Sequence, residues 1–235
     1  MKLIGPFAQI VTLDRLPLKG ALNDNQLEII ENGGVVVENG RIVAVGGYNW
    51  LTEKYPEIYR EFIGEEQVLL PGFIDCHTHI CFAGSRARDY ALRLAGVSYI
   101  EIAKQGGGIQ DTVRATRKAS RAELAIWTSE RAQKLLKQGV TTIEVKSGYG
   151  LSVEEELKML YAIRDAASNS AADVVSTCLA AHLKPSDFDG NEREYLEYIV
   201  EELFPILKSE NLTQRMDIFI EESAFNLYDS EWYLN

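Results

Sequence analysis

Two imidazoles, a carboxylate and a guanidinium fall within the stretch Leu69 to Arg86, LLPGFIDCHTHICFAGSR. Pro71 and Gly72 break the chain, and the apolar run that begins at Phe73 and Ile74 has the turn-bounded look of a buried strand. Side chains two apart on a strand share a face, so Asp75, His77 and His79 are expected to project together, with Ile74, Cys76, Thr78 and Ile80 pointing the other way. Two neutral imidazoles on one face are half of a metal site. Zinc or iron accepts imidazole nitrogen, and a catalytic centre needs about three protein ligands plus an open position for water. A bare H-x-H is more often coincidence; the proline turn, the strand and the aspartate around this one favour ligation.

The elements that must position these groups can be read outward from them. Residues 1–68 read as short strands and turns: Gln9 to Thr12 is largely apolar and β-branched, and GGVVVENGRIVAVGG is a hairpin turning at Asn39-Gly40. Its own core would be thin, so it requires further strands. Tyr48 to Phe62 reads as an irregular or helical connection. Ala87 to Arg117 is a long stretch containing Gly106-Gly107-Gly108, which suits a flexible loop near the site that could close as a lid; Tyr99 to Lys104 forms a helical turn before it. There is no phosphate-binding glycine motif here. From Ser120 the pattern becomes regular. Ser120 with Glu123 forms a capping box, Leu124, Thr128, Ala132 and Leu135 share a helical face, and Gly139 stands at the C-terminal cap. Then come the strand Val140 to Val145, a second helix capped by Ser152 with Glu155, the strand Val174 to Leu179, an amphipathic helix from Glu192 to Ser209, and the strand Met216 to Ile220.

Alternating strands and helices with mostly apolar strands imply a parallel sheet covered by helices, an α/β fold. His77 and His79, Lys146 and Tyr149, His182, and Glu221 each follow an apolar strand, which is where a (β/α)₈ barrel carries its chemistry. The chain's three histidines all occupy such positions.

Composition sets bounds on this reading. With 235 residues, 46% of them hydrophobic, the chain can bury a core of one large or two modest domains. A net charge of −11 without a Lys/Arg cluster argues against nucleic-acid and anionic-membrane partners. Cys76, Cys81 and Cys178 have no zinc-ribbon or C-x-x-C spacing and suit a reducing compartment; with no sustained apolar leader or membrane-length run, the expected location is the cytoplasm.

The string PGFIDCHTH resembles the first barrel strand of the amidohydrolase superfamily, and FAGSRARDY, RLAGVSYIEI, GGGI, TVRATR, GVTTIEVKSGYGL, ELKML and the Ala-His of AAHL resemble, in order, the imidazolonepropionase family. That resemblance implies a (β/α)₈ TIM-barrel hydrolase with a small β-sandwich domain: residues 1–68 would be the N-terminal part of the sandwich and residues 69–235 the first half of the barrel. It implies a metal-dependent ring opening of 4-imidazolone-5-propanoate, a small-molecule substrate, to N-formimidoyl-L-glutamate in histidine degradation. Zinc or iron would be the cofactor, with His77 and His79 as ligands. Arg86, Tyr149 and His182 would contact substrate, and Tyr99 would help hold its carboxylate. Asp75 would support the ligands without joining them. The resemblance also allows a homodimer.

The departure from the family is large. A complete barrel takes about 250 residues in eight units, whereas four strand-helix units, beginning at residues 73, 140, 174 and 216, can be counted. The later histidine and aspartate ligands and proton-transfer groups of the family have no counterpart, so no residue is assigned the catalytic proton transfer. The chain taken alone is expected to be inactive and to expose a sheet edge. Two other functions compete: another cyclic-amide hydrolase or deaminase, against which the GSR, SGYG and AAH strings argue, and a catalytically dead ligand-binding module.

Overall fold

The structure, a computed structural model, describes residues 1–64, 66–221 and 223–235, apart from the side chains of Tyr99, Ile100 and Ala103. The chain divides into two compact units, Met1–Gly72 and Phe73–Asn235.

In the first unit, β1 (Lys2–Val11), β2 (Ile29–Glu38), β3 (Arg41–Gly47), α1 (Tyr48–Lys54), β4 (Tyr59–Phe62) and β5 (Val68–Leu69) follow in order. The expected hairpin is present: β2 pairs antiparallel with β3, and Asn39 and Gly40 turn between them at φ 52° and 75°, which an Asn-Gly turn adopts at little cost. The strands it requires are β1, antiparallel to β2, with β4 and β5 both parallel to β1. Leu3, Val36, Tyr48 and Leu51 form one cluster and Phe7, Ile10 and Val35 another. The connection expected over Tyr48 to Phe62 is thus a helix followed by a strand. YREF has no strand-like alternation of its own, and its pairing with Lys2–Gly5 supplies what local sequence lacks.

The second unit carries β6 (Phe73–Thr78), α2 (Ala87–Leu94), α3 (Tyr99–Lys104), α4 (Ile109–Lys118), α5 (Arg121–Leu136), β7 (Val140–Lys146), α6 (Val153–Ser168), β8 (Asp173–Ala181), α7 (Glu192–Tyr198), α8 (Phe204–Ser209), β9 (Met216–Ile218) and α9 (Leu227–Leu234). Among the described residues its sheet has four strands, β6-β7-β8-β9, all parallel and curled as half of a (β/α)₈ barrel. The capping box of α5 forms, with Ser120 accepting from the Glu123 N–H and Glu123 accepting from Ser120 in return. On α6 Ser152 caps the Glu155 N–H. The expected helix from Glu192 to Ser209 is continuous in outline, but Ile199–Leu203 is a π-helical segment ahead of Pro205. Leu124, Ala132, Ile143, Val145, Met159, Ile163, Tyr195 and Leu196 sit in one core that joins the helices to β7 and β8.

Three expectations are corrected. First, the helical turn expected over Tyr99 to Lys104 is present as α3, but two further helices, α2 and α4, stand in the stretch read as a loop, and the glycines make the turn between α3 and α4, with Gly106 and Gly108 at φ 82° and 74°. The turn is tied down: the Arg114 guanidinium donates to the Gly106 carbonyl at 2.6 Å and the Gly108 N–H donates to Asp89 at 2.8 Å. Second, β6 is not buried along its length. It is an edge strand, and Phe73 and Ile74 are 56% and 69% exposed. Third, the fourth strand ends at Ile218, after which Ile220 makes a single bridge to Phe225.

Cys81 and Cys178 are buried in this core, which pushes both thiols up to about 12, while Cys76 on β6 is exposed. Iodoacetamide at neutral pH is therefore expected to alkylate one cysteine of the folded chain, at position 76, and three after urea unfolding, as read by intact and peptide mass spectrometry.

Candidate active site

The site is assembled from strand ends. Along β6 the ladder is irregular: Asp75 pairs with Ile143 and Thr78 with Val145, so three steps on β6 match two on β7. Strict alternation therefore fails between Asp75 and Thr78, and His79 lies one residue beyond the strand. Oδ1 of Asp75 accepts from the His77 backbone N–H at 3.3 Å.

Thr78, between the two histidines, is fixed to β7. Its hydroxyl donates to the Glu144 carbonyl at 2.6 Å, and its N–H donates to the Glu144 carboxylate at 3.2 Å. That carboxylate also takes Lys146 at 2.7 Å, and Lys146 reaches Asp217 on β9 at 2.8 Å. Burial pushes the Lys146 ammonium down and the two carboxylates more than restore it, leaving its pKa above the ordinary value. One buried cation thus laces β6, β7 and β9 together.

The loop after β7 is wound on a buried carboxyl group. Glu156, in the first turn of α6 and fully buried, accepts from the N–H groups of Gly148 at 3.0 Å and of Gly150 and Leu151 at 2.8 Å each. Burial pushes its carboxyl up, opposed by these bonds and one from Ser147. Gly148 stands at φ 106°, and a Cβ there would meet the Leu179 carbonyl at 2.8 Å, so only glycine fits. Its carbonyl lies 2.8 Å from Nδ1 of His182, just past β8. The loop therefore fixes Tyr149 and His182 together.

These ties bring the sequence-predicted residues to one place. The His77 and His79 rings are 5.2 Å apart; His79 stacks on His182 at 5.4 Å and lies 5.9 Å from Tyr149, and Tyr149 is 5.6 Å from His182. Burial, followed by the neighbouring His182, His77 and Lys146, holds His79 down at about 4, and burial lowers His182. Both are neutral imidazoles at pH 7. Nδ1 of His79 is buried without a hydrogen-bond partner among the described residues, an orphaned donor-acceptor that suits a metal. Arg86, Tyr149 and His182 line one cleft of about 570 Å³ with Gln110, Phe219 and Glu221. The Tyr99 side chain lies outside the described residues. Among the described residues no three or more His, Cys, Asp or Glu side chains are grouped so as to hold a metal.

Sequence reasoning missed Glu156, Asp89 and the partnership of Glu144 with Asp217. Glu156 was hidden in the run Glu154-Glu155-Glu156, where only the capping residue has a local signature. Glu156→Gln replaces one acceptor oxygen by a donor that faces the loop N–H groups. We expect it to lower unfolding free energy by about 1–3 kcal/mol, read as a reduced urea midpoint, and to broaden the Tyr149 ring resonances in the folded state.

No family model matches the chain. Over 208 residues it is 43% identical to an imidazolonepropionase of Paraburkholderia phymatum, covering 88% of this chain and 51% of that protein. Over 224 residues it is 37% identical to an imidazolonepropionase of Clostridium tetani, covering 95% and 54%. Its fold is similar to that of the atrazine chlorohydrolase TrzN from Arthrobacter aurescens TC1, a crystal structure complexed with zinc, with a TM-score of 0.53 at 14% identity over 93% of this chain and 46% of that one. The chain spans about half the length of the curated relatives it matches. In sequence it is recognisable as a portion of an imidazolonepropionase, and its second unit carries part of a (β/α)₈ barrel.

Proposed function

We propose that the protein to which this chain corresponds opens the ring of 4-imidazolone-5-propanoate by hydrolysis, giving N-formimidoyl-L-glutamate. The observation that carries this reading is the gathering of two H-x-H imidazoles, a third imidazole and a phenol at the ends of β6, β7 and β8, with the Arg86 guanidinium, at the start of α2, lining the same cleft as Tyr149 and His182. His77 and His79 would hold a metal, zinc or iron, that supplies when bound a water of lowered pKa and a polarised carbonyl. The remaining roles fall to the chain. The planar fork of Arg86 suits the propanoate carboxylate. Tyr149 and His182 present a ring edge and a neutral imidazole to a planar heterocycle, and the Gly148 carbonyl holds Nδ1 of His182 so that Nε2 is the atom left for the ligand. Phe219, 5.8 Å from His182, closes one side with an apolar surface. The extent of the domains follows the same reading, with the first unit as the start of the small β domain and the second as the barrel portion.

Binding of the stable analogue 3-(imidazol-4-yl)propanoate tests this. Shifts in the His182 and Tyr149 side-chain resonances are expected on titration, and an unperturbed spectrum refutes the assignment. With two imidazole donors gathered, zinc should bind far more weakly than the roughly 10–16 kcal/mol of four-ligand sites, by calorimetry, and His79→Ala should abolish it. Ring-opening turnover, followed by loss of imidazolone absorbance with added zinc or iron, is expected to be absent from the 235-residue chain. Turnover matching a full-length homologue would overturn that expectation.

A further inference from the structure

Asp89, in the first turn of α2, is 8% exposed, and one of its oxygens, Oδ2, has two donors. The Nε–H of Arg86 reaches it at 2.8 Å and the Gly108 N–H, at the start of α4, also at 2.8 Å. The other oxygen lies so close to Gly107 that a Cβ there would overlap it. The Gly108 hydrogen bond, followed by the Arg86 guanidinium, holds the Asp89 carboxyl below its ordinary value, so both bonds are charge-assisted at neutral pH. Neither Nη group of Arg86 has a hydrogen-bond partner among the described residues. Arg86, Ile109 and Gln110 line the same cleft.

We infer that Asp89 is a positioning residue for the carboxylate-binding side of the cleft. By taking Nε it leaves the two Nη groups of Arg86 as the fork offered to a ligand, and by taking the Gly108 N–H it fixes the start of α4, with Gln110, beside that fork. An unrestrained arginine at a rim would lose rotamer freedom on each binding event; one already bound at Nε loses less. This inference rests on the reading of Arg86 as the group that meets the propanoate.

The test compares 3-(imidazol-4-yl)propanoate with 4-methylimidazole, which lacks the carboxylate, on the 235-residue chain by calorimetry. Wild type is expected to prefer the propanoate. Asp89→Asn should weaken propanoate binding about tenfold and leave 4-methylimidazole within about twofold. Gly107→Ala, which displaces the carboxylate without removing its charge, should shift the preference the same way if Asp89→Asn folds poorly. In the free protein, the Nε–H resonance of Arg86 should be protected in wild type and exchange rapidly in Asp89→Asn. A variant that keeps the wild-type preference, or an Arg86 Nε–H equally protected in both, overturns the inference and leaves the proposed substrate standing. A wild type that binds both probes alike overturns the carboxylate role of Arg86 and the inference with it.

Discussion

The end of β7 is the constraint on which the site depends. Three strand ends must meet for His79, Tyr149 and His182 to share one place, and each is tied to the segment Glu144–Gly150. Thr78 of β6 is bound at both N–H and hydroxyl to Glu144. On the other side, the Ser147 N–H donates to Thr177 of β8, the Leu179 N–H donates to the Ser147 hydroxyl, and His182 meets the Gly148 carbonyl. The middle strand is therefore what converts two separate strand ends into a pair of stacked imidazoles.

Two buried ionisable side chains make that strand end rigid, by different means. Lys146 is paired with two carboxylates, so its burial is compensated by opposite charge. Glu156 makes no ion pair among the described residues and is held by backbone N–H groups, with Leu151 at φ 56° as the strained corner of the loop that presents them. Breaking either arrangement at one partner leaves a desolvated group unmatched, which costs more than the intact pairing contributes. Such networks specify a single geometry more than they add stability.

What could be read in the sequence was whatever had a local period or a local cap. VTTIEV and VVSTCL are β-branched runs that became β7 and β8, and Ser120 with Glu123 announced α5. The H-x-H motif, Tyr149 and the third histidine stand out by residue type and by their place after strands, whereas the substrate-contact roles of Arg86, Tyr149 and His182 came from the resemblance to the imidazolonepropionase family. YREF, by contrast, is a strand only because β1 is beside it. The helices between residues 87 and 118 were obscured by the glycines that separate them. The one-residue irregularity in β6 has no signature in FIDCHT, because it arises from pairing with β7. Asp89 and Glu156 escaped notice for a related reason: their importance lies in backbone N–H groups, which every residue carries and no motif marks.

The electrostatic layout separates two tasks that a single cluster could not perform together. The charged groups, Lys146 with Glu144 and Asp217, line one cleft with Thr142, Thr177 and Cys76, whereas the three imidazoles adjoin one another, His79 stacked on His182 and edge-on to His77. Lys146 lies near enough to His79 to disfavour a second positive charge, and Glu144 opposes this only in part. Burial acts in the same direction and is the larger effect. Holding His79 neutral keeps both of its ring nitrogens from being tied up as N–H donors, leaving one lone pair, which is the state a Lewis acid or a proton on a ligand can engage. A carboxylate bonded directly to His79 would raise its pKa and cancel that lone pair; Glu144 and Asp217 are instead engaged by Lys146, where they pin the strands. The carboxylates thus hold the strands through the lysine and leave His79 neutral for a ligand.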